Sequence, residues 1–142
     1  MNQARKVLLV EDDQADAYIT RRIFQEVAAD IRLEHAETGE SALAYLEANQ
    51  QAGKDAFPAL ILLDLNMPRM DGFTFLQHAK QRPEFSPIPV VILTTSVSQS
   101  DIDRAYALGA AGYLVKPTGI DEFSQHIQQL TAYWFGLVRR PS

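Results

Sequence analysis

Asp64 closes the apolar run Leu60-Ile61-Leu62-Leu63 and opens the segment Asp64-Leu65-Asn66-Met67-Pro68-Arg69-Met70-Asp71-Gly72. A carboxylate at the tip of a buried strand, directly before a proline-containing turn, stands where an open sheet presents chemistry to a ligand. Taken alone it could equally stop a strand or cap a helix. Other apolar runs end in the same manner: Glu11-Asp12-Asp13 follows Val7-Leu8-Leu9-Val10, Thr94 follows Val90-Val91-Ile92-Leu93, and Lys116-Pro117 follows Tyr113-Leu114-Val115. Strand ends carrying acid, acid, hydroxyl and amine imply one shared site. Carboxylates crowded there repel one another, so a hard divalent cation on oxygen ligands is the natural partner. A carboxylate beside such an ion can attack phosphorus and form an aspartyl phosphate.

The elements that must position these groups follow from periodicity. Short apolar runs near residues 6–10, 31–35, 60–63, 90–93 and 112–115 alternate with longer segments of helical spacing. That alternation predicts an α/β fold, a parallel sheet of five strands with five helices on its two faces; the known doubly wound arrangement of that size is the flavodoxin-like order 2-1-3-4-5, which is the order expected. The first helix is expected over about 15–28, the second after an N-cap at Thr38, and the third after Gly72, ending before Pro83 and Pro87. Ser98 or Ser100 is the expected cap of the fourth, and the fifth begins near Ile120. Residues 50–57 read as an extended exposed loop, and 132–142 as an apolar C-terminal extension of one domain spanning 1–142.

Composition bounds the function. With 142 residues and a formal net charge of −5, the chain has the size of one ordinary domain and lacks the clustered Lys and Arg of a broad nucleic-acid footprint. It has no cysteine, which excludes disulfides and thiol chemistry and suits a reducing compartment. No N-terminal signal segment and no apolar run near the roughly 20 residues of a membrane helix are visible, so neither nucleic acid nor membrane is an expected partner and the expected location is cytoplasmic. His35, His78 and His126 are scattered without metal spacing and read as structural or surface residues.

The acidic pair, the Asp-x-x-Met-Pro-x-Met-Asp-Gly segment, the strand-end Thr and the Gly-Tyr-x-x-Lys-Pro segment appear in one order over roughly residues 5–131. In this the chain resembles the receiver domain of two-component response regulators. The resemblance implies a phosphoacceptor at Asp64, Mg²⁺ (with Mn²⁺ able to substitute) on Asp12, Asp64 and the Asn66 backbone carbonyl, and Glu11 acting through water. Asp13 is left as a loop or helix-start carboxylate. It also implies that Lys116 neutralises the transferring group, that the Lys116-Pro117 bond is cis, and that Thr94 reports the phosphoryl group to Tyr113, whose rotamer forms the switch. The implied partner is a sensor histidine kinase, making the chain a phosphoacceptor signalling protein with self-phosphorylation and slow autodephosphorylation and not a general enzyme.

Rival readings are weaker on the same residues. A metal-dependent phosphatase with an aspartate nucleophile usually places a second aspartate two residues later, where Asn66 stands. A flavin carrier needs a phosphate loop after strand one, where Glu11-Asp12-Asp13 would repel it. A phosphorylation-independent interaction module would have no use for the complete acidic set. The chain ends soon after the fifth helix, so output is expected through protein contact. Tyr133, Trp134 and Phe135 exceed what one helix face can hide: some can complete the core, and the rest are expected at a kinase-docking surface or a homodimer formed through the fourth helix, fifth strand and fifth helix. The middle loop and aromatic C-terminus resemble regulators associated with phytochrome-type kinases.

Overall fold

In the computed structural model, which describes residues 5–53, 56–67 and 70–137, each apolar run becomes a strand. They are β1 (Lys6–Val10), β2 (Arg32–Ala36), β3 (Leu60–Leu63), β4 (Val90–Thr94) and β5 (Gly112–Val115). All neighbours pair in parallel, in the order β2-β1-β3-β4-β5. Helices α1 (Gln14–Val27), α2 (Gly39–Gln51), α3 (Gly72–Gln81), α4 (Gln99–Ala107) and α5 (Ile120–Ala132) connect them.

The inner strands lack polar alternation because both faces are covered. Leu8, Val10, Ile61, Leu63 and Ile92 pack with Ala42, Leu46, Phe75, Leu76 and Ala105 on the side of α2, α3 and α4. Val7, Leu9, Leu60, Leu62 and Leu93 pack with Ile23, Phe24, Phe123 and Ile127 on the side of α1 and α5. The order reverses at β1, which has β2 on one side and β3 on the other. The crevice beyond the carboxyl ends of β1 and β3 is therefore the place for a ligand.

Helix starts obey local capping. The side chains of Asp13, Thr38, Asp71 and Ser98 accept hydrogen bonds from backbone amides in the first turns of α1, α2, α3 and α4. Of the acidic triplet, Asp13 is thus a cap, and Ser98 takes that role in preference to Ser100.

Several expectations need correction. α1 begins at Gln14 because its cap is Asp13, one residue earlier than its apolar positions suggest. α2 runs on through Gln51, so the expected loop starts later. Lys54 and Asp55 lie outside the described residues, but Phe57 is half-buried with its ring edge on Phe85, centroids 5.7 Å apart, so the loop is not wholly exposed. The Lys116-Pro117 bond is trans, since no cis peptide bond occurs among the described residues. Trans is the isomer favoured for X-Pro by about 0.5–1 kcal/mol, and Lys116 is held from β5 itself, its N bonding Thr94 O at 2.7 Å and its ammonium reaching Glu11.

After α5 the backbone widens into one π-type turn, Tyr133–Leu137. Trp134 and Phe135 turn back onto the core on the α1/α5 side and are half-buried, whereas Tyr133 is 51% exposed. Of the two openings left for these aromatics, Trp134 and Phe135 thus take the core and Tyr133 the surface. Residues 138–142 of the expected extension lie outside the described residues. No helix among the described residues is long and apolar enough to cross a membrane.

Candidate functional site

Register brings the first acids together. Val10 pairs with Leu63, and Asp64 N donates to Val10 O at 3.0 Å, so Glu11 and Asp64 emerge side by side. Carboxylate oxygens of Glu11, Asp12 and Asp64 all lie within 4.8 Å of one another. Glu11 is only 2% exposed and Asp64 8%.

Burial pushes the Glu11 carboxyl up to about 7; Lys116 partly opposes this, and the nearby Asp64 charge adds to it. Lys116 Nζ donates to Glu11 Oε1 at 2.6 Å and to Asp16 Oδ2 at 3.4 Å. Burial alone would lower the lysine, but its hydrogen bond to Glu11 and the charges of Glu11, Asp64 and Asp16 outweigh that and hold its pKa above the ordinary value. One ammonium faces the charges of Glu11, Asp64 and Asp16, and Asp12 adds a further carboxylate to the cluster. The oxygen-only donor set and the uncompensated negative charge fit a hard divalent cation.

The loop after β3 is held from below by Gly72. A Cβ there would lie 2.5 Å from Asp64 O and 2.7 Å from Leu65 Cα, closer than a side chain can approach backbone. Gly72 N donates to Leu65 O at 3.0 Å, while Asn66 N points toward Asp64 Oδ1 at 3.4 Å. Asn66 is exposed; Pro68 and Arg69 lie outside the described residues.

Thr94, wholly buried, ends β4, and its backbone carbonyl accepts from Lys116 N at 2.7 Å. Its Oγ1 accepts from Ser96 N at 3.4 Å. Ser96 in turn donates its hydroxyl to Asp101 Oδ2 at 2.7 Å, and Tyr113 OH donates to Ser96 O at 3.1 Å. The predicted pair Thr94 and Tyr113 is thus joined through one residue, and that residue is tied to the first turn of α4.

Residues 7–128 match the model of the response regulator receiver domain. The chain belongs to that family. Among receiver relatives, the probable methanogenesis regulatory protein FilR2 of Methanothrix harundinacea is 36% identical over 135 residues, covering 95% of this chain and 86% of FilR2. Response regulator Rcp1 of Synechocystis sp. is 33% identical over 141 residues, covering 99% of this chain and 96% of Rcp1. The Mn²⁺-bound crystal structure of Rcp1 superposes with a TM-score of 0.84, covering 97% of this chain and 99% of that one. The phosphorylated cyanobacterial phytochrome response regulator RcpA superposes with a TM-score of 0.85 at 33% identity and the same coverage. This receiver domain thus resembles phytochrome response regulators in fold over nearly its full length.

Two residues of the site escaped the sequence reading. Asp16 reaches Lys116 from the first turn of α1; an acid in the first turn directly after the acidic triplet was the available signal. His35, read as an ordinary residue, places Nε2 2.7 Å from the backbone carbonyl of Glu11, and nothing in its spacing foretold that.

Proposed function

We propose that Asp64 accepts a phosphoryl group from a sensor histidine kinase, of a phytochrome-associated kind in keeping with the likeness to a phytochrome response regulator, and that the modification switches a protein-binding surface. The carrying observation is the convergence of the Glu11, Asp12 and Asp64 oxygens within 4.8 Å beside a lysine already drawn into the site. Asp12, Asp64 and the Asn66 backbone carbonyl would hold Mg²⁺, or Mn²⁺ in its place, with Glu11 contributing through water. When bound, such an ion supplies positive charge opposite the phosphoryl oxygens.

The chain's own residues do the rest. An Asp64 carboxylate oxygen forms the new P–O bond while the P–N bond to the donor imidazole breaks and the imidazole takes up a proton. Lys116 moves from Glu11 toward the transferred group, giving up one carboxylate for another anion. Thr94 exchanges the Ser96 amide for a phosphoryl oxygen, as donor instead of acceptor. Ser96 and Tyr113 then shift relative to α4, which alters the α4-β5-α5 face. That face supports a homodimer: β5 is an edge strand, and beside it Leu114, His126, Leu130, Tyr133 and Trp134 line an apolar groove of about 340 Å³.

The test is intact mass after incubation with acetyl phosphate, with and without Mg²⁺, for wild type and Asp64→Asn. The expected result is one added phosphoryl group, dependent on the metal and absent in the variant. Steady phosphate release from many unrelated esters would overturn the assignment in favour of a hydrolase.

A further inference from the structure

We propose that His35 is a positioning residue for the acidic site, acting through the backbone of Glu11 to set its affinity for the divalent cation. The inference rests on the reading of Glu11, Asp12 and Asp64 as a cation site. His35 is half-buried in the edge strand β2, in register with Leu9. A carbonyl only accepts, so His35 Nε2 carries the proton and donates to Glu11 O across 2.7 Å.

The backbone pairing of β1 with β2 ends at Glu11, whose amide donates to Ala36 O at 3.0 Å. His35 adds one more bond beyond that end, made by a side chain. Glu11 is thereby tied to β2 through both its amide and its carbonyl. The carbonyl of Glu11 shares a rigid peptide plane with the amide of Asp12. Fixing its oxygen therefore sets the rotation that leaves Glu11 and the one that enters Asp12, and aims both carboxylates from one plane. Downstream the chain is held differently: Asp13 N donates to Glu11 Oε2 at 3.3 Å, and Asp16 N to Asp13 Oδ1 at 2.9 Å. Among the described residues, His35 is the only side chain that donates to the main chain of the acidic triplet. Groups that orient ligands from outside the coordination sphere lower metal affinity about 10–100-fold when removed.

The experiment titrates Mg²⁺ calorimetrically into the full chain as wild type, His35→Leu, His35→Asn and His35→Gln. The Gln amide can place an N–H near the position of Nε2, whereas Asn falls short. Wild type should bind, Leu and Asn should bind about 10-fold more weakly, and Gln should stay within about 3-fold of wild type. At saturating Mg²⁺ the acetyl phosphate reaction of every folded variant should return close to the wild-type rate, since only positioning was lost. Variants that all bind as wild type does, or a Gln variant as weak as Asn, would overturn the proposal. If the Leu variant does not fold, the Gln and Asn contrast decides alone, because both keep a polar side chain on the edge strand. A wild type that binds no Mg²⁺ overturns the underlying cation site and this role with it, and that failure shows before any variant is read.

Discussion

At the rim between β1 and β3, Glu11 and Asp64 are nearly withdrawn from water, and hydrogen bonds from Lys116, His35 and the backbone fix Glu11 and the strand end that carries Asp64. Beside β5 the surface has another character. No residue of that strand is fully buried, and Tyr133 and Leu137 leave 51% and 78% of their area in solvent. The first region concentrates like charge in low dielectric, which costs stability and has value only if the geometry is held for chemistry. The second holds apolar area that a partner could cover. Between them runs the short chain Thr94, Ser96, Tyr113 and Asp101, in which each link is a hydrogen bond that can be exchanged. Rigid charge on one side and adaptable contact on the other is what a phosphoryl-driven switch requires.

The contrast can be broken most severely at Gly72. Replacing it with Ala drives a Cβ into Asp64 O and Leu65 Cα, with no flexible side chain to give way. Urea unfolding should report a loss of about 3 kcal/mol, and phosphorylation of whatever folds should slow, because the clash falls on the backbone of the acceptor.

A pH series sharpens the account of the buried acid. The folded Glu11 carboxyl titrates at about 7 against 4.5 for its ordinary value, so the metal-free folded state binds the extra proton between those limits. Stability should therefore fall as pH rises from 4.5 to 7 and lose nothing further through this group above that, a total of roughly 3 kcal/mol. Glu11→Gln should flatten that interval in the difference between the two stability curves. In the same window Mg²⁺ affinity should weaken as pH drops, because ion and proton compete for the site.

Asp13→Ala separates neighbours within the triplet. It removes the N-cap of α1 and should cost about 1 kcal/mol, yet leave Mg²⁺ affinity near wild type, whereas Asp12→Ala should abolish it. Thermal melts read beside metal titrations distinguish the two roles. The smallest effect on the fold is expected at the other region: Tyr133→Ser should change stability by no more than about 0.5 kcal/mol while weakening self-association in sedimentation. An unchanged sedimentation profile would remove Tyr133 from the dimer surface.

Much of this was legible in the chain because it is local. Apolar runs too short for helices and too uniform for one-sided strands had to be inner strands of a parallel sheet, and the polar residues ending them had to gather at one rim. Thr38 at the start of α2 was equally readable, since a cap acts on its own first turn. Less visible were features that depend on where side chains point after packing. Trp134 and Tyr133 are adjacent and both aromatic, but only the direction of α5 against α1 sends one inward and leaves the other in water.

The amino-acid order alone determined the sheet, its helices and the identity of the acids, hydroxyl and amine at the strand ends, because strand and helix periods are set by neighbouring residues. Only the tertiary structure decided that Lys116 rests on Glu11 and Asp16, 105 and 100 positions away, that His35 holds the Glu11 carbonyl, and that Gly72 leaves room beneath Asp64. Those pairings arise when separate elements dock and buried charges must find partners, a choice made by the packed interior and not by any stretch of chain within it.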